Sequence, residues 1–404
     1  MMKQEKKKRI QPMDLVRFFI SYLPKYDFLI SFSVGILVIL GTIMIALADV
    51  GQGEALFGIV GKQILYVILG NVLSCVCNHL YSFSSYRIAQ YILLPILWIL
   101  LALASTTASI GGSSAWLRFG AFSLQPSEFA KPLAILTVAN SVYGARKKVS
   151  RQKNWFTMYW VPLLSFILCN ILLILQNDFG TLFIIDFIFF VCVLTPEYQI
   201  LKTFKKVVLT LFVFGLSVGI GFCVLSYYGY NVFEGTSLEH FSVRVHNTIN
   251  PYDDIYEKGY QPANALYGMG DAQIIGKGLG NSTRKYGYLT QADTDYILAL
   301  IIEELGIAGF LLVVLCYVII LWRLFYYALR SSDPCIRTIL VGNIGYIFIH
   351  FFLNVGGVSC LIPFTGVPLL FVSRGGSALV SILISIGISQ KMITLVRKKE
   401  KIEF

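Results

Sequence analysis

The chain is 404 residues long, 56% hydrophobic and only 14% charged, with mean hydropathy +0.71 and a formal net charge of +11. A soluble domain carries about 25% charged residues, so a soluble enzyme is excluded, and the length allows about ten membrane-spanning helices with their loops. The positive balance does not point to nucleic acid, because the basic residues gather in short segments between apolar runs, where they act as cytoplasmic topology signals.

The segment 1–27 opens MMKQEKKKRI and reads as a basic cytoplasmic tail. The first apolar run, near Phe28 to Leu47, is too long for a signal-peptide core and lacks a cleavage site, so it is expected to remain as the first span. Further runs predict spans near 59–78, 88–108, 127–144, 159–176, 180–196, 205–228, 294–326, 337–358 and 366–392. In lipid each backbone polar group needs a partner within its own segment, which makes these runs helices. The expected fold class is an all-α polytopic membrane protein with about ten transmembrane helices. Residues 28–392 form its transmembrane domain, and 393–404 a second basic tail.

Clusters of Lys and Arg in the N-terminal tail, near 145–155, near 197–206, at Arg330 and Arg337, and after 390 fall on one side when the span count is even. That side is the cytoplasm, and both termini lie there. The opposite face receives the loop 109–127 and one long extracellular loop between helices 7 and 8, residues 227–293. The Tyr, Phe and Val content of the long loop predicts a folded lid. The eight cysteines lie mostly within apolar runs and read as buried thiols, without the spacing of a zinc site or a disulfide framework.

Chemistry concentrates where the long loop becomes a helix, from Gly276 to Gly306. Arg284 and Lys285 stand in a glycine-rich stretch, Asp293-Thr294-Asp295 at the helix start, and Glu303-Glu304 further along. Asp293 or Thr294 can cap the helix, because a short oxygen-bearing side chain accepts from the free amides of the first turn. Asp295 lies just inside and is less needed as a cap. Counting back along a straight helix from Arg323 puts Asp295 at the outer headgroup level, ~42 Å away at 1.5 Å per residue. Glu303 and Glu304 sit nearer the membrane, where an ionisable group is either functional or paired with a cation.

Three more constellations open to the same face. Trp116 and Arg118 precede Gln125-Pro126-Ser127-Glu128 and Lys131; Glu128 and Lys131 share a helix face and can pair. Trp116 is either an interfacial anchor or a surface on which a sugar stacks. Asp178, in Gln176-Asn177-Asp178-Phe179-Gly180-Thr181, reads first as the cap of the sixth span, and Asp186 as an internal pair. Pro363, Gly366, Pro368, Gly375 and Gly376 break the start of the last span around Arg374. Freed backbone groups at that depth require cover by protein or a wet cavity. Arg374 is either a phosphate ligand or the partner of Glu303, Glu304 or Glu128. With Arg118, Lys131, Arg244, Lys258, Arg284 and Lys285, it suits an anionic lipid with a polar head.

Together these blocks resemble the SEDS family, the polytopic shape, elongation, division and sporulation proteins that include FtsW, RodA and SpoVE. The resemblance rests on Trp116, Gln125 to Glu128 with Lys131, Asp178-Phe179-Gly180-Thr181, Asn250-Pro251 with Asp254 and Gly259-Tyr260-Gln261, Gly278 to Ser282 with Lys285, Thr294-Asp295-Tyr296-Ile297, Glu303-Glu304-Leu305-Gly306, and Pro363 to Ser377. The Gly278 to Ser282 stretch looks more like FtsW and SpoVE than RodA. The chain departs from the family pattern at Thr290-Gln291-Ala292, where a Pro-Glu is usual, at Asn177, Ala115 and Leu370, and at Arg374, where a Tyr is common.

The resemblance implies a peptidoglycan glycosyltransferase that polymerises lipid II on the outer face of the bacterial cytoplasmic membrane and releases undecaprenyl diphosphate. Asp295 matches the catalytic carboxylate. Trp116, Glu128, Lys131, Asp178, Arg244, Lys285, Glu303 and Arg374 are the expected substrate-binding residues. A divalent cation, magnesium or manganese, is one way to help the diphosphate leave, but no ligand cluster specifies a metal site. The implied partner is a class B penicillin-binding protein transpeptidase, with other division or elongation proteins. Two other readings stand beside this one: a lipid II flippase, for which broken helices and intramembrane charge serve equally well, and a non-catalytic scaffold for a transpeptidase.

Overall fold

The structure is a computed structural model and describes residues 26–52, 56–107, 113–120, 122–146, 154–228, 239–256 and 259–403. Each of the ten apolar runs is helical: α1 (Phe28–Gln52), α2 (Leu56–Leu80), α3 (Phe83–Ser105), α4 (Pro126–Arg146), α5 (Trp155–Leu175), α6 (Phe179–Leu194), α7 (Lys202–Tyr227), α10 (Ile297–Arg330), α11 (Pro334–Val358) and α12 (Gly376–Glu403). Within the long segment before α10 lie α8 (Glu239–Ile249) and α9 (Tyr260–Asp271). Eight of these helices are long and apolar enough to cross a membrane. α6 is apolar but shorter, and α4 carries Glu128, Lys131 and Asn140 among its apolar residues.

Local sequence sets the helix starts. Ser82 accepts from Ser85 N (3.1 Å) ahead of α3, and Asp178 accepts from Thr181 N (3.1 Å) ahead of α6. Asp333 accepts from Cys335 N (3.0 Å) with Pro334 in the first turn of α11, where its missing N–H costs nothing. The last helix differs from its expected limits at both ends. Residues 359–375 stay non-helical, and α12 continues to Glu403 through the basic segment. Lys and Glu are good helix formers once outside the membrane, and Arg397 is held by Asp27 and Tyr327.

The core is formed by α1, α4, α6, α10, α11 and α12, with α2 laid along α12. Polar side chains join helices where lipid offers them no partner: Asn343 Nδ2 donates to Ser389 Oγ (2.8 Å), Asn140 Nδ2 to Gln90 Oε1 (2.9 Å) and Asn78 Nδ2 to Gly387 O (3.0 Å). One end of the bundle is tied by Asp27, which is 1% exposed. Arg323 pairs with it at 2.5 Å, Tyr327 donates to it at 3.2 Å, Arg397 also reaches it, and its own N–H donates to Gln390 (2.6 Å). α7 packs along the edge, against α6, α8 and the short 3-10 turn Gln199–Leu201, and through the buried Phe204 against Trp155 and Tyr159 of α5.

Candidate active site

The site is assembled by a break in α10. Gly306 adopts φ 63°, ψ −153°, a conformation closed to side-chain-bearing residues. The break turns the carbonyls of Glu303 and Glu304 to the glycine loop, where they accept from Lys277 N and Gly278 N, each at 2.9 Å. Ile307 N donates to Ile274 O (3.0 Å). The two segments touch through glycine: a Cβ on Gly276 would lie 2.4 Å from Gly306 N, and one on Gly306 would lie 2.3 Å from Ile274 O. The straight helix assumed in placing Asp295 by length is therefore interrupted, and its height follows from this stitched loop.

Both glutamates are 1% exposed and face the loop. Glu303 accepts from Ser282 Oγ (2.5 Å), Thr283 N (3.0 Å) and Thr283 Oγ1 (3.1 Å), and pairs with Lys277 (2.9 Å). Glu304 accepts from Gly280 N (2.9 Å) and pairs with Lys285 (3.3 Å), which also donates to Gly280 O (2.6 Å). Buried carboxylates persist only when paired and hydrogen-bonded. These two, with Lys285, hold the loop against the helix.

Ahead of the helix neither Asp293 nor Thr294 stands at the N-cap position. Tyr296 occupies the N-cap without a side-chain bond, Thr294 Oγ1 donates to Gln291 Oε1 (2.7 Å), and Asp293 pairs with Arg374 at 2.5 Å. The contact is a close ion pair between a guanidinium and a buried carboxylate. Arg374 also reaches Asp49 at 3.4 Å. It meets none of the glutamates expected for it, because Lys277, Lys285 and Lys131 take those.

Asp295 is held by its backbone, and among the described residues its carboxyl accepts no hydrogen bond. Asn354 Nδ2 donates both to Asp295 O and to Val367 O, each at 2.9 Å. Ser373 Oγ donates to Thr294 O (2.6 Å) and Arg374 N to Asp293 O (2.8 Å). The 366–374 turn is itself strained, with the buried Phe371 at φ 69°. It is secured by the Tyr317 hydroxyl donating to Leu370 O (2.5 Å). A Cβ on Gly366 would lie 3.5 Å from Asp295 Oδ2, so the carboxyl rests against bare backbone. Burial, and then the charge of Asp293, push its pKa from 3.8 up to about 7 against the opposing pull of Arg244.

The second constellation lies beside this one. β1 (Leu117–Phe119) and β2 (Phe122–Leu124) form a small antiparallel hairpin that carries Trp116 at its base, half-buried, with its carbonyl accepting from Thr107 Oγ1 (3.1 Å). Asp178, besides capping α6, accepts from Gln125 Nε2 (3.3 Å) and Ser127 Oγ (3.5 Å). Lys131 is fully buried between Glu128 Oε1 (2.6 Å) and His350 Nε2 (3.0 Å), while His350 Nδ1 faces Pro368 O (3.4 Å). That arrangement suits the tautomer in which Nδ1 carries the proton and Nε2 accepts from the ammonium. Lys131→Met should destabilise the protein by about 3 to 5 kcal/mol, since it strands a buried carboxylate, and adding Glu128→Gln should recover much of the loss. Thermal unfolding in detergent measures both.

Of the expected anion-binding cations, Arg118 and Arg244 are exposed. Arg284 is engaged with Asn264 (2.9 Å) and Asp271 (3.4 Å), and Lys258 lies outside the described residues. The structure thus gathers Asp295, Asp293, Arg374 and Arg244 at one place, Glu303 and Lys285 behind them in the loop, and Glu128 and Lys131 deeper in the bundle. The sequence patterns do not single out Asp49, His350 or Asn354, and they give Ser373 no role. Polar residues inside apolar runs were the available signal for His350 and Asn354.

Comparison with known proteins decides the family. The profile of the cell cycle proteins FtsW, RodA and SpoVE matches residues 27–398. The chain belongs to the SEDS family. This SEDS protein is 32% identical over 387 residues to the probable peptidoglycan glycosyltransferase FtsW of Bacillus subtilis, covering 94% of this chain and 93% of the relative. It is also 32% identical over 280 residues to stage V sporulation protein E of the same organism, covering 69% and 70%. Among solved structures it shares its fold with a chain described under structural coordination of polymerization and crosslinking by a peptidoglycan synthase complex (TM-score 0.68, 24% identity, 93% of this chain and 98% of that one). The crystal structure of Thermus thermophilus rod shape determining protein RodA is similar at TM-score 0.60 and 22% identity, covering 92% and 97%. As a SEDS protein the chain is a multi-pass membrane protein, in keeping with its eight apolar spans.

Proposed function

We infer that this SEDS protein is a peptidoglycan glycosyltransferase, serving cell division or cell shape, with lipid II as substrate and Asp295 as general base. The observation that carries the assignment of the base is the Asp295 carboxyl itself. Among the described residues it accepts no hydrogen bond, its turn is held by Asn354 and Ser373, and burial with the charge of Asp293 pushes its pKa up to about 7. A base works best when its pKa lies near the operating pH. The acceptor's GlcNAc 4-hydroxyl attacks C1 of the donor MurNAc, Asp295 takes the hydroxyl proton, and the C1–O bond to undecaprenyl diphosphate breaks. Attack from the face opposite the leaving group turns the α-linked lipid sugar into a β-1,4 bond. The departing diphosphate carries the negative charge, and the exposed Arg244, close enough to Asp295 to lower its pKa, is placed to receive it.

For a divalent cation, the described residues contain no group of three or more His, Cys, Asp or Glu side chains able to hold one. Among the described residues, the side chains do not form a metal site of their own. The basic clusters support both termini in the cytoplasm and the Asp295 turn on the outer face. A class B penicillin-binding protein is the partner we propose, consistent with the synthase complex whose chain shares this fold.

Polymerisation from lipid II by the purified full chain in detergent tests the reading. Glycan polymer with the unaltered chain, and none with Asp295→Ala, is expected. Leaflet exchange of lipid II in liposomes that survives Asp295→Ala, without polymer, would replace the enzyme by a flippase. Intact transpeptidase binding with no polymer under any condition would leave a scaffold.

A further inference from the structure

Arg374 has the chemistry of a diphosphate ligand, yet its contacts are already made. Its Nε lies 2.5 Å from Asp293 Oδ2 and its Nη1 3.4 Å from Asp49 Oδ1. Both carboxylates are buried, at 1% and 0% exposed, while the guanidinium lies at the rim. Drawing Arg374 away to a substrate would break its ion pairs with two buried carboxylates, and broken buried pairs are costly. The backbone repeats the link, since Arg374 N donates to Asp293 O (2.8 Å) and the neighbouring Ser373 Oγ to Thr294 O (2.6 Å).

We propose that Arg374 is a positioning residue: it locks Asp293 to the 366–374 turn and to α1, so that the shared turn aims the Asp295 carboxyl, and it does not hold the substrate's diphosphate. The inference rests on Asp295 being the base. It also accounts for two departures from the family pattern as one device, because Arg374, where a Tyr is common, is paired with Asp293, which follows Thr290-Gln291-Ala292 in place of the usual Pro-Glu.

The charged and titratable groups around Asp295 define what each change should do. Asp293 stands on its own turn, Arg374 on the facing turn, Asp49 on α1 and Arg244 on α8. Tyr296 also interacts with Asp295, Cys360 faces Tyr296, and His350 on α11 is turned toward Pro368 and Lys131. Asp293 opposes ionisation of Asp295, and Arg374 offsets Asp293. Removing Arg374 therefore raises the pH at which Asp295 ionises. Removing the charge of Asp293 lowers it.

Two readouts test the proposal on the purified full chain. In polymerisation kinetics with lipid II, Arg374→Met should lower kcat about tenfold or more, as loss of supporting contacts commonly does, with KM within about twofold. Arg374→Lys, which keeps the charge, should restore most of the loss. In carbon-13 titration of labelled aspartate carboxyls, with the Asp295 signal assigned by its loss in Asp295→Asn, Arg374→Met should move Asp295 to higher pH and Asp293→Asn to lower pH. The effect of Arg374→Met should be smaller in the Asp293→Asn background than in the unaltered chain. A raised KM at unchanged kcat would overturn the proposal and make Arg374 a diphosphate ligand, and so would an Asp295 titration that none of these changes moves. Polymer that persists in Asp295→Ala would refute the assignment of the base instead, and the titration would still decide what Arg374 does.

Discussion

Gly306→Ala is expected to cost about 3 kcal/mol or more in stability and to abolish glycan synthesis at growth temperature. Two independent penalties meet at this residue. Its backbone lies at φ 63°, ψ −153°, where an alanine is strained whatever space it finds. The space is also missing, since the added Cβ would lie 2.3 Å from Ile274 O, a backbone atom with no freedom to give way. Relief would require withdrawing the 274–278 strand of the loop. That would free the Glu303 and Glu304 carbonyls and unseat Lys277 and Lys285. Gly270→Ala, in α9 with open space around it, is the control and should be close to neutral. Thermal unfolding in detergent measures the difference, and a Gly306→Ala protein as stable as its parent would contradict the stitched-loop account.

Asp295→Asn is expected to lower kcat for polymerisation about 10²- to 10⁴-fold, the range general-base catalysis supplies, while lipid II binding changes little. Asparagine keeps the shape and cannot take a proton. The backbone anchors from Asn354 and Ser373 do not involve the carboxyl, so the turn should persist. A loss confined to kcat marks an interaction made only in the transition state. Steady-state kinetics with a lipid II binding measurement on the same preparation separates this from a ground-state ligand, for which KM would rise instead.

The helical architecture was legible because lipid leaves the backbone so few choices. Every apolar run is a helix, and Trp116 to Lys131, Asp295 and Arg374 could be picked out as chemistry on an apolar background. Three features were not legible, each for a physical reason. The break at Gly306 leaves no mark in an apolar run, because one glycine in a helix usually costs only about 1 kcal/mol and breaks nothing. The partners of Arg374 come from α1 and from the turn before α10, and sequence spacing carries no information about such distant pairs. Asp293 read as a cap because its offset from the helix was right, and the choice between amide and guanidinium depended on where the 366–374 turn folds back. Asn354 and His350 were visible as polar residues in an apolar run, but what they hold is backbone carbonyl, which no side-chain pattern announces.

The account stands on the Asp295 carboxyl acting as a base, and the pH dependence of polymerisation measures that most directly. Burial and the charge of Asp293 push the Asp295 carboxyl up to about 7, so a base at this position would be protonated below that pH and able to take a proton above it. The rate of the unaltered chain should therefore climb through an acid limb near neutrality, falling about tenfold for each pH unit below it. The residual rate of Asp295→Asn should lack this limb. An acid limb that is the same in both proteins would place the base elsewhere and contradict the account.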